Sequence, residues 1–308
     1  MPETGCDILG FGVAAIDDVF AMDAFPRPGE KSFFETYMRV GGGQTATALV
    51  AAARLGRRCV YGGHLGRNDL SDRVRDVFKR EGVGCRPAVE YPEASPTHTL
   101  VLVDRATGER SNIANVGGVE SAELGEWDRE LIAGAKCLLV DQSIPRFQVR
   151  AAALALARGI PVVGDLESVE GESRRELCAM ANHLILPLNV ARRELGASDP
   201  EEAVRTMMRG GGRVLACVTD GERGAWYADA DAPDAIRRQP AIAMPRVVDT
   251  NGCGDVFHGA YAAALVEGRP LAERMRRACA AAAMKTRKPG GQAGAPTSRE
   301  LEAFLAGS

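Results

Sequence analysis

Short apolar runs alternate with amphipathic stretches along most of the chain. The apolar runs are too continuous in Val, Ile and Leu for half-exposed strands, and they fit a parallel sheet that is covered on both faces. They include CDILGFGV, KCLLVDQS, HLILPL and RVLACVTDG, with helical patterns such as TATALVAAARLG and EEAVRTMMRG between them. Because strand alternates with helix, the sequence predicts a three-layer α/β sandwich with a mainly parallel central sheet.

Two segments interrupt this alternation. Residues 13–40 contain short alternating pieces separated by prolines, and residues 97–116 have the pattern of a hairpin with its turn at Ala106–Thr107–Gly108. The sequence therefore predicts a small antiparallel β flap from these two segments, attached to an α/β core of residues 1–12, 41–96 and 117–308. The flap is either a pair of decorating hairpins or a lid over a substrate site. We favour the lid because both segments flank the glycines at 41–43.

Charge and hydropathy exclude several classes of function. The net charge of -3 gives no basic field for nucleic acid or an anionic membrane, and aromatic residues are only 5% of the chain. No apolar stretch reaches the ~18–20 residues of a membrane-spanning helix. The N-terminus MPETGCDILGFG has no basic segment typical of a signal peptide, and the cysteines are scattered without a zinc-site spacing. The sequence therefore predicts a cytoplasmic protein with reduced thiols.

The stretch from Asp249 to Asp255, DTNGCGD, precedes apolar residues at helical spacing. Free backbone N–H groups and the positive end of the dipole make a helix N-terminus a site for anions. Small residues at Gly252, Cys253 and Gly254 would let a phosphate approach these amides. Asp255 would then lie in the first helical turn, where a carboxylate can accept the proton of an attacking hydroxyl. The alternative is that Asp255 only stabilises the helix N-terminus, and the heptapeptide alone leaves both interpretations open.

A second glycine-rich stretch, Gly41-Gly42-Gly43, also precedes a helical pattern. Three consecutive glycines allow the backbone to approach a ligand closely. The alternative is a loose linker. We favour contact with a ligand, because Ser and Pro are absent and the helix follows at once.

Together the two stretches resemble the signatures of the ribokinase-like (PfkB) carbohydrate kinase family, which also contains fructose- and nucleoside-type kinases. GGGQTATALVAAARLG resembles the N-terminal signature, and DTNGCGDVFHGAYAAAL resembles the C-terminal one, usually D-T-T-G-A-G-D. The resemblance covers nearly the whole chain. It implies a ribokinase-like sandwich with a small β lid, and an enzyme that uses ATP and Mg²⁺ to phosphorylate a hydroxyl of a small sugar. It also implies a homodimer that forms through the lid.

The resemblance implies a role for individual residues. Gly252, Cys253 and Gly254 would form the anion hole, and Asp255 would be the general base. The acceptor sugar would meet Asp17, Lys31, Gly42, Gly43, Thr47 and Asn115. A T-x-G-x-x-G turn near the nucleotide corresponds to Thr219, Gly221 and Gly224, and a loop by the adenine pocket corresponds to Lys288-Pro289-Gly290-Gly291.

The chain departs from the family pattern at three places. Thr47 stands where the N-terminal signature usually has Asn, and Cys253 stands where the loop usually has Ala. The N-x-x-E motif that organises Mg²⁺ is incomplete, because Asn189 is followed at the third position by Arg192 and the nearest acid is Glu194. The sequence therefore leaves the metal ligands unknown, and it also leaves open whether K⁺ binds near Asp249.

Within the family, DVFHGA and TRKPGGQAGAP most resemble the sulfofructose kinase branch. Lys31 matches a lysine that this branch uses on its anionic substrate. However, Asp141-Gln142-Ser143 stands where the branch would have an arginine for the sulfonate, so a bidentate anion site is missing. The expected acceptor is therefore a fructose-like sugar or a polyol, either neutral or anionic, such as a sugar phosphate or sulfosugar. The spacing does not determine the sugar, the hydroxyl phosphorylated or the oligomeric state.

Two other functions compete with a kinase. A catalytically silent sugar or nucleotide sensor on the same fold is favoured by Thr47 and by the incomplete N-x-x-E motif, but a dead kinase would readily lose Asp255. A dinucleotide-binding oxidoreductase is disfavoured, because neither glycine cluster forms G-x-G-x-x-G after the first strand with an acid ~20 residues further on.

Overall fold

The structure is a computed structural model that describes residues 5–86, 91–105, 110–116 and 123–307. Its strands are β1 Cys6–Phe11, β2 Ala15–Met22, β3 Thr36–Gly42, β4 Cys59–Tyr61, β5 Val83–Cys85, β6 Thr97–Asp104, β7 Arg110–Asn115, β8 Ala135–Val140, β9 Val162–Asp165, β10 His183–Pro187, β11 Leu215–Thr219, β12 Ala225–Asp229 and β13 Arg237–Gln239. Its helices are α1 Gln44–Arg54, α2 Asp69–Glu81, α3 Glu126–Gly134, α4 Pro145–Leu156, α5 Glu172–Met180, α6 Leu188–Leu195, α7 Pro200–Arg209, α8 Cys253–Val266, α9 Leu271–Lys285 and α10 Ser298–Ala306.

The large sheet has the strand order β13-β12-β11-β10-β9-β8-β1-β4-β5. All neighbouring strands from β5 to β11 run parallel, and β12 and β13 add an antiparallel edge. Successive residues of β1 point to opposite faces, so Ile8 joins the core beneath α1, α8 and α9, and Leu9 joins the core beneath α3, α4 and α7. Both residues are completely buried. Two layers of helices therefore cover the sheet, and the predicted three-layer α/β sandwich is confirmed.

A second sheet has the strand order β3-β2-β6-β7. The prediction of a wholly antiparallel flap is wrong, because β2 and β6 pair in parallel over their whole length. Both strands leave the core at the same place, where Thr97 donates a backbone hydrogen bond to the carbonyl of Ala14, so they run in the same direction. Only β3 and β7 return antiparallel to their neighbours. The arms of the predicted hairpin pair as expected, and its turn at Ala106–Thr107–Gly108 lies outside the described residues.

The two faces of the second sheet differ in character. Asp17 lies on one face of the sheet, together with Thr99, its partner in the adjacent strand β6. Asp18 lies on the other face, where its carboxylate accepts two hydrogen bonds from Arg39, both of 2.6 Å, and one of 2.6 Å from the hydroxyl of Tyr37. The hydrogen bonds from Arg39 hold the pKa of Asp18 well below its ordinary value. Asp17 is therefore the residue of this pair that a ligand can use.

Candidate active site

The loop before α8 forms a pocket lined by backbone. Gly252 has a φ of 78°, and a Cβ there would lie 2.7 Å from both Cα and the carbonyl oxygen of Gly291. No other residue type fits this position without strain. In contrast, no heavy atom lies within 4 Å of the point where Gly254 would carry a Cβ. The space above the first amides of α8 is therefore free for an anion, with the half-buried thiol of Cys253 beside it.

Asp255 lies in the first turn of α8, half-buried at the edge of this space. Burial raises its pKa well above the ordinary value, and the negative charge of Asp165 raises it further. Smaller contributions of the same sign come from Glu167 and Asp141, whereas His258 opposes them. Asp255 therefore holds a proton more firmly than a solvated carboxylate does.

Asp165 ends β9 directly beneath the loop and is almost completely buried. Its Oδ1 accepts a hydrogen bond of 3.3 Å from the side-chain amide of Gln44 at the start of α1. Its Oδ2 makes no hydrogen bond within the described part of the chain, and lies 3.4 Å from Nδ1 of His258. This oxygen is therefore buried beside His258, and it makes no hydrogen bond within the described residues.

His258 supports the loop from below. Its Nδ1 lies 2.8 Å from the carbonyl oxygen of Gly254, and its Nε2 lies 3.2 Å from the carbonyl oxygen of Ile185 in β10. Burial lowers the pKa of His258, because the charged form would lose its hydration. The side chain thus joins α8 to the central sheet just under the anion pocket, and does not reach the pocket itself.

Asp141 follows β8 and is completely buried. Its Oδ2 accepts hydrogen bonds from the amide of Val13 at 2.6 Å and from the hydroxyl of Thr45 at 2.9 Å. Its Oδ1 accepts from the amide of Ser143 at 2.8 Å and from the side chain of Gln148 at 3.1 Å. Asp141, the first of the three residues that stand where the sulfofructose kinase branch has its arginine, is therefore a structural carboxylate. It connects the starts of α1 and α4 to the end of β1.

Three of the predicted acceptor residues lie together. Gly43 has a φ of 90°, and a Cβ there would lie 2.6 Å from the carbonyl oxygen of Val13. A Cβ on Gly42 would overlap the carboxylate of Asp17. Asp17 is buried, and this burial raises its pKa, although a hydrogen bond from the hydroxyl of Thr99 opposes the rise. The glycines thus leave room for the Asp17 carboxylate at the point where β3 passes into α1.

The other predicted acceptor residues lie elsewhere. Thr47 is buried and is directed to the C-terminal loop, where the side chain of Gln292 lies 3.5 Å from its hydroxyl and Gly291 packs close by. Lys31 is exposed in the segment between β2 and β3. Asn115 is exposed and opposes His98, so it lies on the face of the second sheet away from Asp17. The structure therefore does not bring Lys31 or Asn115 to the acceptor cluster.

The predicted nucleotide turn follows β11, whose end is in register with the end of β10. Gly221 and Gly224 have φ angles of 50° and 95°, and a Cβ on Gly224 would overlap the carbonyl oxygen of Gln239. The amide of Asp220 donates a hydrogen bond of 2.8 Å to the carbonyl of Gly224, which closes the turn. Thr219, which precedes it, therefore lies at the same edge of the sheet as Asp165.

Sequence reasoning missed Asp165 beside the anion loop, and it missed the supporting roles of Asp141 and His258. The two acids could have been found, because they lie at the carboxyl ends of adjacent parallel strands, where ligands bind in open α/β sheets. No comparable signal marks His258, whose partners lie in other elements.

Comparison with known proteins identifies the family. The model described as "pfkB family carbohydrate kinase" matches residues 8–298, which is nearly the whole chain. The chain belongs to this family. It is an ATP-dependent carbohydrate kinase that transfers phosphate to a sugar hydroxyl.

Ribokinases are among the relatives of this kinase. It is 25% identical over 297 residues to ribokinase of Haemophilus influenzae, covering 94% of this chain and 95% of that protein. It is 26% identical over 304 residues to ribokinase of Bacillus subtilis, and the match covers 97% of this chain and 99% of that protein. Ribokinase from Thermotoga maritima superposes with a TM-score of 0.85 at 25% identity, covering 98% and 99%. Ribokinase of Arabidopsis thaliana, complexed with ribose and ATP, shares the fold with a TM-score of 0.86 at 22% identity. The superposition covers 98% of this chain and 99% of that chain.

These matches confirm the predicted family and the ribokinase-like fold. The sulfofructose kinase branch, the cytoplasmic location and the division of the chain into core and lid stay predictions. Among the described residues, no helix is both long enough and apolar enough to cross a membrane.

Proposed function

We propose that this kinase transfers the γ-phosphoryl group of ATP to a hydroxyl of a fructose- or ribose-like sugar, with Asp255 as the general base. The observation that supports this most directly is the position of Asp255 in the first turn of α8, beside the free space above Gly254. A ribose-like acceptor is supported by the ribokinases among the relatives.

In this mechanism, Asp255 accepts the proton of the sugar hydroxyl as the hydroxyl oxygen forms its bond to the γ-phosphorus. The bond between phosphorus and the bridging oxygen breaks, and ADP leaves with the electron pair. The raised pKa of Asp255 favours this role, because a more basic carboxylate accepts the proton more readily. The amides of Gly252, Cys253 and Gly254 would stabilise the charge on the transferring group.

We propose that Asp17 holds the acceptor. Its buried carboxylate lies against Gly42, whose missing side chain leaves room for the carboxylate at the point where β3 passes into α1. A carboxylate can accept hydrogen bonds from two neighbouring hydroxyls, and excluding water strengthens these bonds. Thr47, Lys31 and Asn115 stay predictions as acceptor contacts. Lys31 would approach an anionic acceptor only if the segment between β2 and β3 folds toward the site.

Mg²⁺ would be held by oxygen atoms near the anion pocket. In the ranges described above, no group of three or more His, Cys, Asp and Glu side chains is arranged to hold a metal ion. The carboxylate of Glu167, together with water and the phosphates, would supply oxygen atoms of the kind that Mg²⁺ prefers. When bound, the ion would neutralise charge on the phosphates. Glu167→Gln should then raise the Mg²⁺ concentration that half-maximal activity requires.

We do not assign Mg²⁺ to Glu194, the acid nearest to the incomplete N-x-x-E motif. Its carboxylate accepts a hydrogen bond of 2.9 Å from Arg193, whereas Arg192 donates to the carbonyl of Ser198 at 3.3 Å. We propose that the nucleotide lies along the edge formed by Thr219, Gly221 and Gly224, with Gly291 beside the anion loop. The contact of Gly252 with Gly291 supports this arrangement.

We also propose a homodimer through the second sheet. On the face away from Asp17, Phe20, Phe34 and Tyr37 form a ring cluster, and Phe34 is 54% exposed. Ile113, which opposes Leu100 on this face, is 59% exposed. Such exposed apolar area suits a second copy of the chain. Light scattering after size-exclusion chromatography would show a monomer if this proposal is wrong.

The test of the function is ADP release from ATP and Mg²⁺ with a panel of acceptors: fructose, ribose, fructose phosphates, nucleosides, keto-deoxy sugars and sulfofructose. One acceptor should give turnover, and Asp255→Asn should lower kcat at least ~100-fold, the scale of general-base loss. Turnover of no sugar, with ATP binding unchanged in Asp255→Asn, would instead favour the silent sensor.

The same variant has a second readout in its stability. The folded-state pKa of Asp255 is raised, so the folded protein binds this proton more tightly than the unfolded chain does, and stability is lost as the pH rises through the folded pKa. Asp255→Asn removes this cost, and should melt at a higher temperature than the wild type above that pH.

A further inference from the structure

Lys285, the last residue of α9, is completely buried. Its Nζ donates a hydrogen bond of 2.8 Å to the backbone carbonyl of Asp249, and lies 3.8 Å from Oδ1 of the same residue. Burying an ammonium group costs several kcal/mol unless a partner compensates for the lost hydration. The position of Lys285 is therefore specific, and it is directed at the residue that begins the anion loop.

The surroundings of Lys285 suit a single positive charge. The side chain of Asp249 is only 10% exposed, and it accepts hydrogen bonds of 2.7 Å from the amides of Asn251 and Gly290. The negative end of the α9 dipole adds to the attraction. Asp249 is also held to α9 by its own amide, which donates a hydrogen bond of 3.1 Å to the carbonyl of Thr286.

This cluster is continuous with the anion loop. Asp249 is three residues before Gly252, and the amide that Gly290 donates to Asp249 is next to Gly291, on which Gly252 packs. An unneutralised Asp249 carboxylate here would repel the phosphates of a bound nucleotide. A cation beside Asp249 therefore supports both the shape and the electrostatics of the pocket.

A monovalent metal ion does not fit this place. An ion bound near Asp249 would need the same carbonyl and carboxylate oxygens that the ammonium of Lys285 already approaches. The ammonium carries the same charge as K⁺, and it is attached covalently to α9. The residues around Asp249 therefore do not fit a bound K⁺ ion.

We propose that the ammonium of Lys285 is a built-in monovalent cation that positions the loop from Asp249 to Gly252, so that this kinase works without K⁺. Lys285 is a positioning residue, because it acts on the loop and not on the substrates. The inference rests on the proposed function for its activity measurements, and its stability measurements do not depend on that function.

The experiment compares K⁺, NH₄⁺ and tetramethylammonium at constant ionic strength. Wild-type activity should be the same in all three. Lys285→Ala leaves a cavity beside Asp249, so without K⁺ or NH₄⁺ it should lose at least ~10-fold in kcat/KM, since a buried charge loses its partner. Either small cation should restore most of this loss. Lys285→Met fills the space without a charge, and should be equally impaired but not rescued.

A second readout does not depend on catalysis. The melting temperature of Lys285→Ala should rise when K⁺ replaces tetramethylammonium, whereas those of the wild type and Lys285→Met should not change. If no sugar is turned over, the proposed function fails, but this series still decides the role of Lys285.

Two results would overturn the inference. One is activation or thermal stabilisation of the wild type by K⁺ over tetramethylammonium, a result that needs no variant to fold. The other is a Lys285→Ala protein that K⁺ and NH₄⁺ leave unchanged in both readouts, since Lys285 would then only fill space. A Lys285→Ala chain that folds only with K⁺ or NH₄⁺ would support the proposal.

Discussion

The two glycine loops of this kinase have similar backbones and different surroundings. Gly43 and Gly252 both have a positive φ, and each lies against another part of the backbone, where a side chain would not fit. Behind Gly252 the support is buried, with His258 and Lys285 reaching across from α8 and α9. Before Gly43 the chain belongs to β3, in which Tyr37 and Arg39 are exposed. The proposed phosphate end is therefore fixed by the core, whereas the proposed acceptor end depends on the second sheet.

This difference explains why the reaction type is easier to infer than the substrate. The anion loop is made of backbone groups, and these look alike whatever the acceptor is. The proposed acceptor site uses side chains on a sheet that is attached to the core at one end, where Ala14 accepts the hydrogen bond from Thr97. The shape of the proposed acceptor site therefore depends on the position of that sheet.

The largest loss of activity among these tests of the two glycine loops is expected from a substitution in the loop before α8. Gly254→Ala places a methyl group in the free space above the α8 amides, and should lower kcat/KM by ~10²–10³, the scale of losing an oxyanion contact. Because no atom lies within 4 Å, its free energy of unfolding should change by less than ~0.5 kcal/mol. Gly252→Ala is the matched variant. It should also destabilise the fold by ~1–3 kcal/mol, since its φ is positive and Gly291 is in contact.

If Gly254→Ala retained full activity, phosphate would not bind over these amides. The distinction between the two loops would then lose its chemical basis.

An intermediate effect is expected at the acceptor end. Asp17→Asn should raise KM for the sugar ~10–100-fold with little change in KM for ATP, because it removes a charged hydrogen-bond acceptor. The matched control is Asp18→Asn on the opposite face, which should reduce stability by breaking the bonds to Arg39 and Tyr37. An unchanged sugar KM in Asp17→Asn would show that the acceptor binds elsewhere.

The smallest effect is a shift in pH dependence. The charge of Asp165 raises the pKa of Asp255, so Asp165→Asn should lower that pKa and move the acidic limb of the kcat profile to lower pH. Glu170→Gln, an exposed acid of the same segment, should leave the profile where it is. A shift to higher pH would show that Asp165 does not act through its charge.

Periodic features of the sequence predicted the main fold and the anion loop. The apolar runs gave the parallel strands, and the helical spacing after Gly254 placed Asp255 in a first turn. The parallel pairing of β2 with β6 was not predictable, because it depends on where two segments that lie far apart in the chain leave the core. Lys285 was missed because a basic residue in the last turn of a helix is usually exposed. Its burial follows only from the approach of Asp249.

The contact between Gly252 and Gly291 has a consequence for the order in which this protein becomes functional during synthesis. The anion loop is completed by Gly291, whereas the hydrogen bonds of Asp141 need nothing beyond Gln148. A chain that is still emerging from the ribosome can therefore form the hydrogen bonds around Thr45 well before it can form a phosphate pocket. We expect a nascent chain to gain nucleotide binding only after Gly291 has been translated and has reached Gly252.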